Sequence, residues 1–281
     1  MVKLDMGKAW TDASGILAAN FGTIATIAGL FLFLPYFAMA IFLPETINPE
    51  QPDIPPGADP DLVMNATMEA LTKQYSDNWP AFLIVSLIQF FGTLSLLALL
   101  TDRAKPTVGE ALKQGARGVL SYLASQLLVA LLAGLVIGLP IGLAAGLGQP
   151  VIGGLLAVIG FVLIIYFFIK FTFTAAVIAI EDQLNPITAL RRSWSLTKGN
   201  SFRIAIFLVL LFLLIGIVSL LVQSALGLVF SAFGGSFAAI GNGFVTALIN
   251  GGIGALFATI IVGMYRQLSA STPDVVAREF E

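Results

Sequence analysis

The sequence predicts an all-α polytopic membrane protein with six transmembrane helices, and three observations predict it. Hydrophobic residues make up 58% of the 281 and charged residues 11%, against about 45–50% and about 25% in soluble domains. So few charges cannot cover a water-facing surface of this size, and mean hydropathy is +0.95. Six stretches reach the roughly 20 mostly apolar residues that a helix needs to cross the hydrocarbon layer. Finally, basic residues alternate between the loops that join those stretches. There is no His and no Cys, which excludes imidazole acid–base chemistry, thiol nucleophiles, disulfides, haem ligation and the common zinc sites. A net charge of -2 points away from nucleic acid.

Taken in order, the spans are about 21–43, 80–100, 119–143, 151–169, 204–222 and 244–265. They make residues 1–281 a single integral membrane domain. The first is read as retained: Ala38-Met39-Ala40 has the small residues of a cleavage site, but a signal peptide would not open with the balanced charges Lys3, Asp5, Lys8 and Asp12. Residues 44–79 form an acidic external loop carrying Glu45, Glu50, Asp53, Asp59, Asp61, Glu69 and Asp77 against Lys73. Its prolines 49, 52, 55, 56 and 60 predict an irregular strap. A short helix over Asp61–Ser76 is expected next, with Ala66, Met68 and Leu71 as apolar contacts. Asn65-Ala66-Thr67 fits a glycosylation pattern and is read as a chance match. The second connection carries Arg103, Lys105, Lys113 and Arg117, and 144–150 has no charge. The fourth connection carries Lys170, Arg191, Arg192, Lys198 and Arg203, 223–243 again has none, and the tail holds Arg266 and Arg278. Because cationic loops stay in the cytoplasm, both termini are expected there. An eight-span reading would need Ser224–Gly243 to cross; its Gly and Ser content favours a surface or re-entrant segment.

Three stretches on the basic side share a rhythm. Ala9-Trp10, Ala111-Leu112 and Ala189-Leu190 each lie on an amphipathic stretch leading into an outward span, with Asn20 and Asn200 eleven residues after the first and third alanines. Tyr122 stands at the middle copy's position. The chain is therefore read as three units, each an interfacial helix followed by a transmembrane hairpin.

Residues 175–203 are the most informative. Pro186 suits the first turn of a helix, with Ala189, Leu190 and Trp194 as its apolar edge, Arg191, Arg192 and Lys198 facing water, and Gly199-Asn200 breaking the helix before span five. The ordered set Glu181, Ala189, Leu190, Arg191, Arg192, Ser193, Trp194, Leu196, Thr197, Lys198, Gly199, Asn200 and Arg203 resembles the glycerophosphoryl diester phosphodiesterase membrane-domain family and its uncharacterised YciC-like relatives. The resemblance implies a bacterial inner-membrane protein without an agreed biochemical role. Some members of that family carry a separate phosphodiesterase domain after the membrane part. No such domain is expected after Glu281, and the His residues such chemistry would need are absent from these 281 residues.

The bases Lys170, Arg191, Arg192, Lys198 and Arg203 are a candidate anionic-lipid site, with arginine forks on phosphate. The competing reading is topology-setting charge paired with Glu181 or Asp182. Lys170 is expected to snorkel to the basic-side boundary. Gly134, Gly138, Gly142 and Gly146 form a row for close helix packing, kinked at Pro140, with Gly251, Gly252 and Gly254 as a partner surface. Gln89, Gln126 and Asn250 are expected to hydrogen-bond between helices. Glu181 and Asp182 are adjacent and point apart, so no carboxylate pair is offered for catalysis. The expectation is a non-enzymatic, lipid-interacting or scaffolding protein without cofactor or metal. Its expected partners are membrane lipids, anionic phospholipid among them, and a second copy or another membrane protein. A transporter or channel for a small or lipid-like substrate is the alternative.

Overall fold

The computed structural model describes residues 3–46, 52, 54–55, 57–101 and 106–269. Glu50, Asp53, Pro49, Pro56, Arg103, Lys105 and Arg278 lie outside the described residues. Among those described, every regular segment is helical, and six helices are long and apolar enough to cross a membrane. The protein is an all-α, multi-pass membrane protein.

Asp5 caps helix α1 (Met6–Ala19) by accepting the Lys8 N–H at 3.0 Å. After Asn20 the first span runs as α2 (Phe21–Ala28), a π-helical turn over Gly29–Phe33, and α3 (Leu34–Phe42). The third span is built alike: α5 (Val108–Ala133), a π-helical turn over Gly134–Gly138, and α6 (Leu139–Gly146). Both π turns precede a proline, Pro35 and Pro140. A proline has no N–H for the carbonyl four residues back and its ring collides with it, so the helix widens there by one residue. The same heptapeptide pattern underlies both: Gly29-Leu30, then Leu34-Pro35; Gly134-Leu135, then Leu139-Pro140.

Helix α4 (Pro60–Leu99) departs from expectation. The short external helix does not end before the membrane; it continues through Pro80 into span two as one 40-residue helix. Pro80 sits beside the exposed Trp79, where the carbonyl that a proline leaves without a donor can be reached by water. Met68 and Leu71 are exposed, so they are not the contacts expected of them. Helix α5 opens at a Thr107–Glu110 capping box and runs unbroken into span three, so the middle interfacial stretch is not a separate helix. Helix α7 (Pro150–Phe171) is followed, after a break at Thr172-Phe173, by α8 (Thr174–Ile180), α9 (Pro186–Thr197) and α10 (Ser201–Ser231). Helix α11 (Gly235–Ser269) completes the chain's described part. Residues 224–243 are neither re-entrant nor a crossing pair: they extend α10 and α11 around a tight turn at 232–234, where Gly234 adopts φ 68°.

The core lies at the end that carries the basic connections. Leu94, Leu96, Phe173, Val177, Ile178, Ile260 and Met264 are almost wholly enclosed there, and Ala9, Ala111 and Ala189 are each at 0% exposure. The three alanines of the sequence rhythm thus occupy equivalent packed positions. Each entry segment packs on the closing helix of the preceding unit: α5 on α4, α9 on α7 and α8, and α1 on α11. The three units therefore close in a ring, with α8 buried from Thr174 to Ala179. Toward the other end the helices turn apolar side chains such as Leu135, Leu139, Leu155 and Ile159 outward to lipid.

Glycine packing falls elsewhere than expected. No neighbouring atom lies within 4 Å of a Cβ built on Gly134, Gly138, Gly142 or Gly146, so that row meets no other helix among the described residues. Two glycines that approach a neighbour's backbone are Gly115, whose added Cβ would lie 2.9 Å from the Ser95 nitrogen, and Gly263, 3.0 Å from the Ala9 carbonyl oxygen. Gly251 and Gly254 do meet a neighbour, but it is Phe33 and Leu32 of span one; Gly252 faces open space. Asn250 donates to the Thr246 carbonyl of its own helix at 2.9 Å rather than across a gap. The bond between helices runs instead from Gln223 to the Thr246 hydroxyl at 3.0 Å.

Candidate functional site

Helix α9 organises the basic end. Asn185 caps it, accepting from the Ile187 and Thr188 N–H groups at 3.0 and 3.2 Å, and Pro186 follows at the first turn. Its buried face is Ala189, Ser193, Leu196 and Thr197, a spacing of four, three and one that makes one helical stripe. Leu190 and Trp194 lie on the flank of that stripe rather than forming it.

Ser193 mends the break between α7 and α8. Its hydroxyl donates to the Lys170 carbonyl at 2.8 Å and accepts the Phe173 N–H at 3.1 Å. Both are backbone groups that the interrupted helix would leave unmade, and the site is fully buried. One residue back, the half-buried Arg192 turns toward Glu181. Its Nε lies 3.1 Å from Glu181 Oε1 and 3.3 Å from Oε2, and Tyr265 donates to the same Oε1 at 2.6 Å. Asp182, at φ 53°, turns away and is exposed, as adjacency requires. Gln114 of α5 donates to the Ala179 carbonyl at 2.6 Å, and Arg266 of α11 to the Leu100 carbonyl at 2.6 Å.

The end of the motif grips the N-terminal segment. Buried Asn200 accepts the Leu4 N–H at 2.8 Å, and Arg203 donates to the Leu4 carbonyl at 3.0 Å. Gln267 holds Asp5 in the same manner, accepting its N–H at 3.1 Å and donating to its carbonyl at 3.3 Å. Leu4 itself is 1% exposed. Gly199 takes φ 79°, the left-handed turn that lets the chain leave α9 and enter α10.

The five bases do not converge on one pocket. Arg192 is committed to Glu181, and Arg203 to Leu4. Lys170 does not snorkel: it is 6% exposed, its Nζ 2.9 Å from Ser201 Oγ and 5.1 and 5.5 Å from the ring centres of Trp194 and Tyr166. Arg191 and Lys198 remain exposed. Beside Arg191 lies a groove of about 270 Å³ lined by Phe171, Ile187, Leu190 and Trp194. Trp194 is its wall, packed edge-on to Tyr166 at 5.5 Å and tilted against Phe171 at 5.8 Å. A cation at the mouth of an aromatic and aliphatic groove suits an anionic amphiphile.

Tyr265, Gln114, Gln267, Tyr166 and Ser201 carry no sequence expectation, and Arg266, expected only as a base of the tail, holds the Leu100 carbonyl. The run Tyr265-Arg266-Gln267, three polar-tipped residues closing an apolar span, was the signal available for three of them. No curated protein and no solved structure matches the chain. One family model, described as a domain of unknown function (DUF7847), matches residues 80–268, from the membrane-entry proline of span two to the last turn of α11. That match covers more than half of the chain, including the whole of α9 and its partners on α5, α7 and α11, and the protein belongs to the DUF7847 family.

Proposed function

We propose that this is a non-enzymatic, lipid-interacting protein of a bacterial inner membrane, with both termini in the cytoplasm and a role in maintaining the membrane or envelope. The observation that carries this reading is the groove beside Arg191, walled by Phe171, Ile187, Leu190 and Trp194. It offers apolar walls for an acyl chain under a cation for a headgroup. Alternation of basic and base-poor loops supports the orientation. The likeness of residues 181–203 to the phosphodiesterase membrane-domain and YciC-like proteins supports the bacterial inner membrane. The full chain, purified in mild detergent, is expected to carry bound phospholipid in a native mass spectrum. Ile187→Glu and Arg191→Gln, both at exposed positions, should reduce that lipid at least threefold. Lipid-free wild-type protein would overturn the reading.

A second reading, passage of a small or lipid-like substrate, draws on the paired π-helical turns before Pro35 and Pro140, since interrupted helices recur in membrane proteins that move. Substrate flux into protein-containing liposomes tests it, and no flux above protein-free liposomes removes it.

A further inference from the structure

Lys170 poses an electrostatic problem that the groove alone does not answer. Its ammonium is enclosed at 6% exposure, yet the atoms around it are a hydroxyl, Ser201 Oγ at 2.9 Å, and two ring faces. The acids nearest in sequence are spent or turned away: Glu181 serves Arg192 and Tyr265, and Asp182 is exposed at its turn. The charge that does reach Lys170 has the same sign, from Lys198. Ser201 is also the first residue of α10, a 31-residue helix whose N-terminus has no side-chain cap. Through Ser201 the ammonium lies beside this positive dipole end. Ser201 cannot offset this, because its hydroxyl hydrogen is given to the Thr197 carbonyl at 3.0 Å. Two lysines and a helix N-terminus thus converge with no carboxylate among the described residues to balance them, and burying such a charge unpaired is strongly unfavourable.

We propose that Lys170, Lys198 and the first-turn N–H groups of α10 form a binding site for the phosphate of an anionic phospholipid. Lys170 has three N–H donors and gives one to Ser201, leaving two for phosphate oxygens. Trp194 stands between this site and the apolar groove: Lys170 lies over its ring and the groove runs along it. A headgroup phosphate at the lysines therefore places acyl chains against Phe171, Ile187 and Leu190. This geometry favours a lipid over a soluble phosphate ester. The proposal rests on the lipid-interacting reading above and names the ligand chemistry of that region.

The test uses the full chain, delipidated in detergent and then given phosphatidylglycerol, diacylglycerol with the same chains, or inorganic phosphate. Thermal unfolding and native mass spectra are recorded for each. Wild type is expected to bind phosphatidylglycerol at least tenfold more tightly than diacylglycerol and to be unaffected by millimolar phosphate. Lys170→Met should raise the unfolding temperature of the lipid-free protein, because it removes a buried uncompensated charge, and should abolish the further rise that phosphatidylglycerol gives. Lys198→Gln, at an exposed position, keeps the fold and should weaken phosphatidylglycerol binding several-fold, while Lys170→Arg should retain the binding that Lys170→Met loses. If wild type retains phosphatidylglycerol and both Lys170→Met and Lys198→Gln retain it equally, the phosphate site is overturned while the lipid-interacting reading stands. If wild type binds no lipid, both fall. If inorganic phosphate binds at the lysines and displaces no lipid, the lipid assignment is overturned.

Discussion

Ser193 shows how much a single hydroxyl can hold at a helix break. It supplies one donor and one acceptor to a buried interruption of the α7–α8 backbone. Ser193→Ala should cost about 1–3 kcal/mol, the penalty for leaving a buried backbone group unmade, measured as loss of resistance to chemical unfolding in mild detergent. Ser193→Cys, with a weaker and longer hydrogen-bonding group, should fall between. Glu181 is a second such point, since it receives both Arg192 and Tyr265. Glu181→Ala should destabilise by about 2 kcal/mol, whereas Tyr265→Phe should cost about 1 kcal/mol because Arg192 keeps its carboxylate. At this scale the sequence was only partly legible. The motif residues were visible as a set, and pairing with Glu181 was one of two readings. The second partner of Glu181 is Tyr265 of α11, 84 residues further on, and local sequence does not show it. Lys170 was misplaced for the same reason: the snorkelling expectation rests on its own helix, while its burial is the work of Trp194 and Ser201.

At the scale of elements, glycine spacing misled where glycine surroundings decide. Four glycines at intervals of four read as a packing row, yet they meet nothing among the described residues, while glycines outside the row, such as Gly115 and Gly263, come up against a neighbour's backbone. Leucine substitution separates the two kinds. Gly115→Leu, forced against the Ser95 backbone, should cost several kcal/mol or prevent folding. Gly142→Leu should leave detergent stability within about 0.5 kcal/mol of wild type. The π turns were latent in the recurring Gly-Leu…Leu-Pro pattern, which is easily passed over because a proline in an apolar span is read first as a kink. Pro140→Ala, by restoring the missing donor, should return residues 134–138 to α-helical bonding. A reduced rate of amide exchange at the carbonyl-facing residues there would report it, and unchanged exchange would refute it. The long α4 was illegible for a different reason. A proline at position 80 is a helix breaker by propensity, and only its place at the membrane boundary makes it tolerable.

At the scale of the molecule, the sequence carried most. The six spans, the all-α class and the three-unit rhythm followed from hydropathy, loop charge and the alanines 9, 111 and 189, because lipid imposes periodicity and length on every crossing. The orientation offers a direct experiment, since the chain contains no cysteine. Single cysteines introduced at Lys8, Gly148 and Phe233 should divide cleanly in intact cells. Positions 148 and 233 should react with a membrane-impermeant maleimide from outside, and position 8 only after permeabilisation; the opposite pattern would invert the topology.

The ring of units has a consequence in time. A chain emerges from the ribosome from its N-terminus, so α4 and α5 can dock within moments of synthesis, as can α7, α8 and α9. Helix α1 cannot. It packs on α11 at Gly263, and Leu4 and Asp5 just before it are held by Asn200, Arg203 and Gln267, all of which lie later in the chain than spans one to four. Residues 4–19 can thus complete their packing only once α11 is in place. Nascent chains arrested after span four should therefore lose residues 3–20 to a cytoplasmic protease that the finished protein resists.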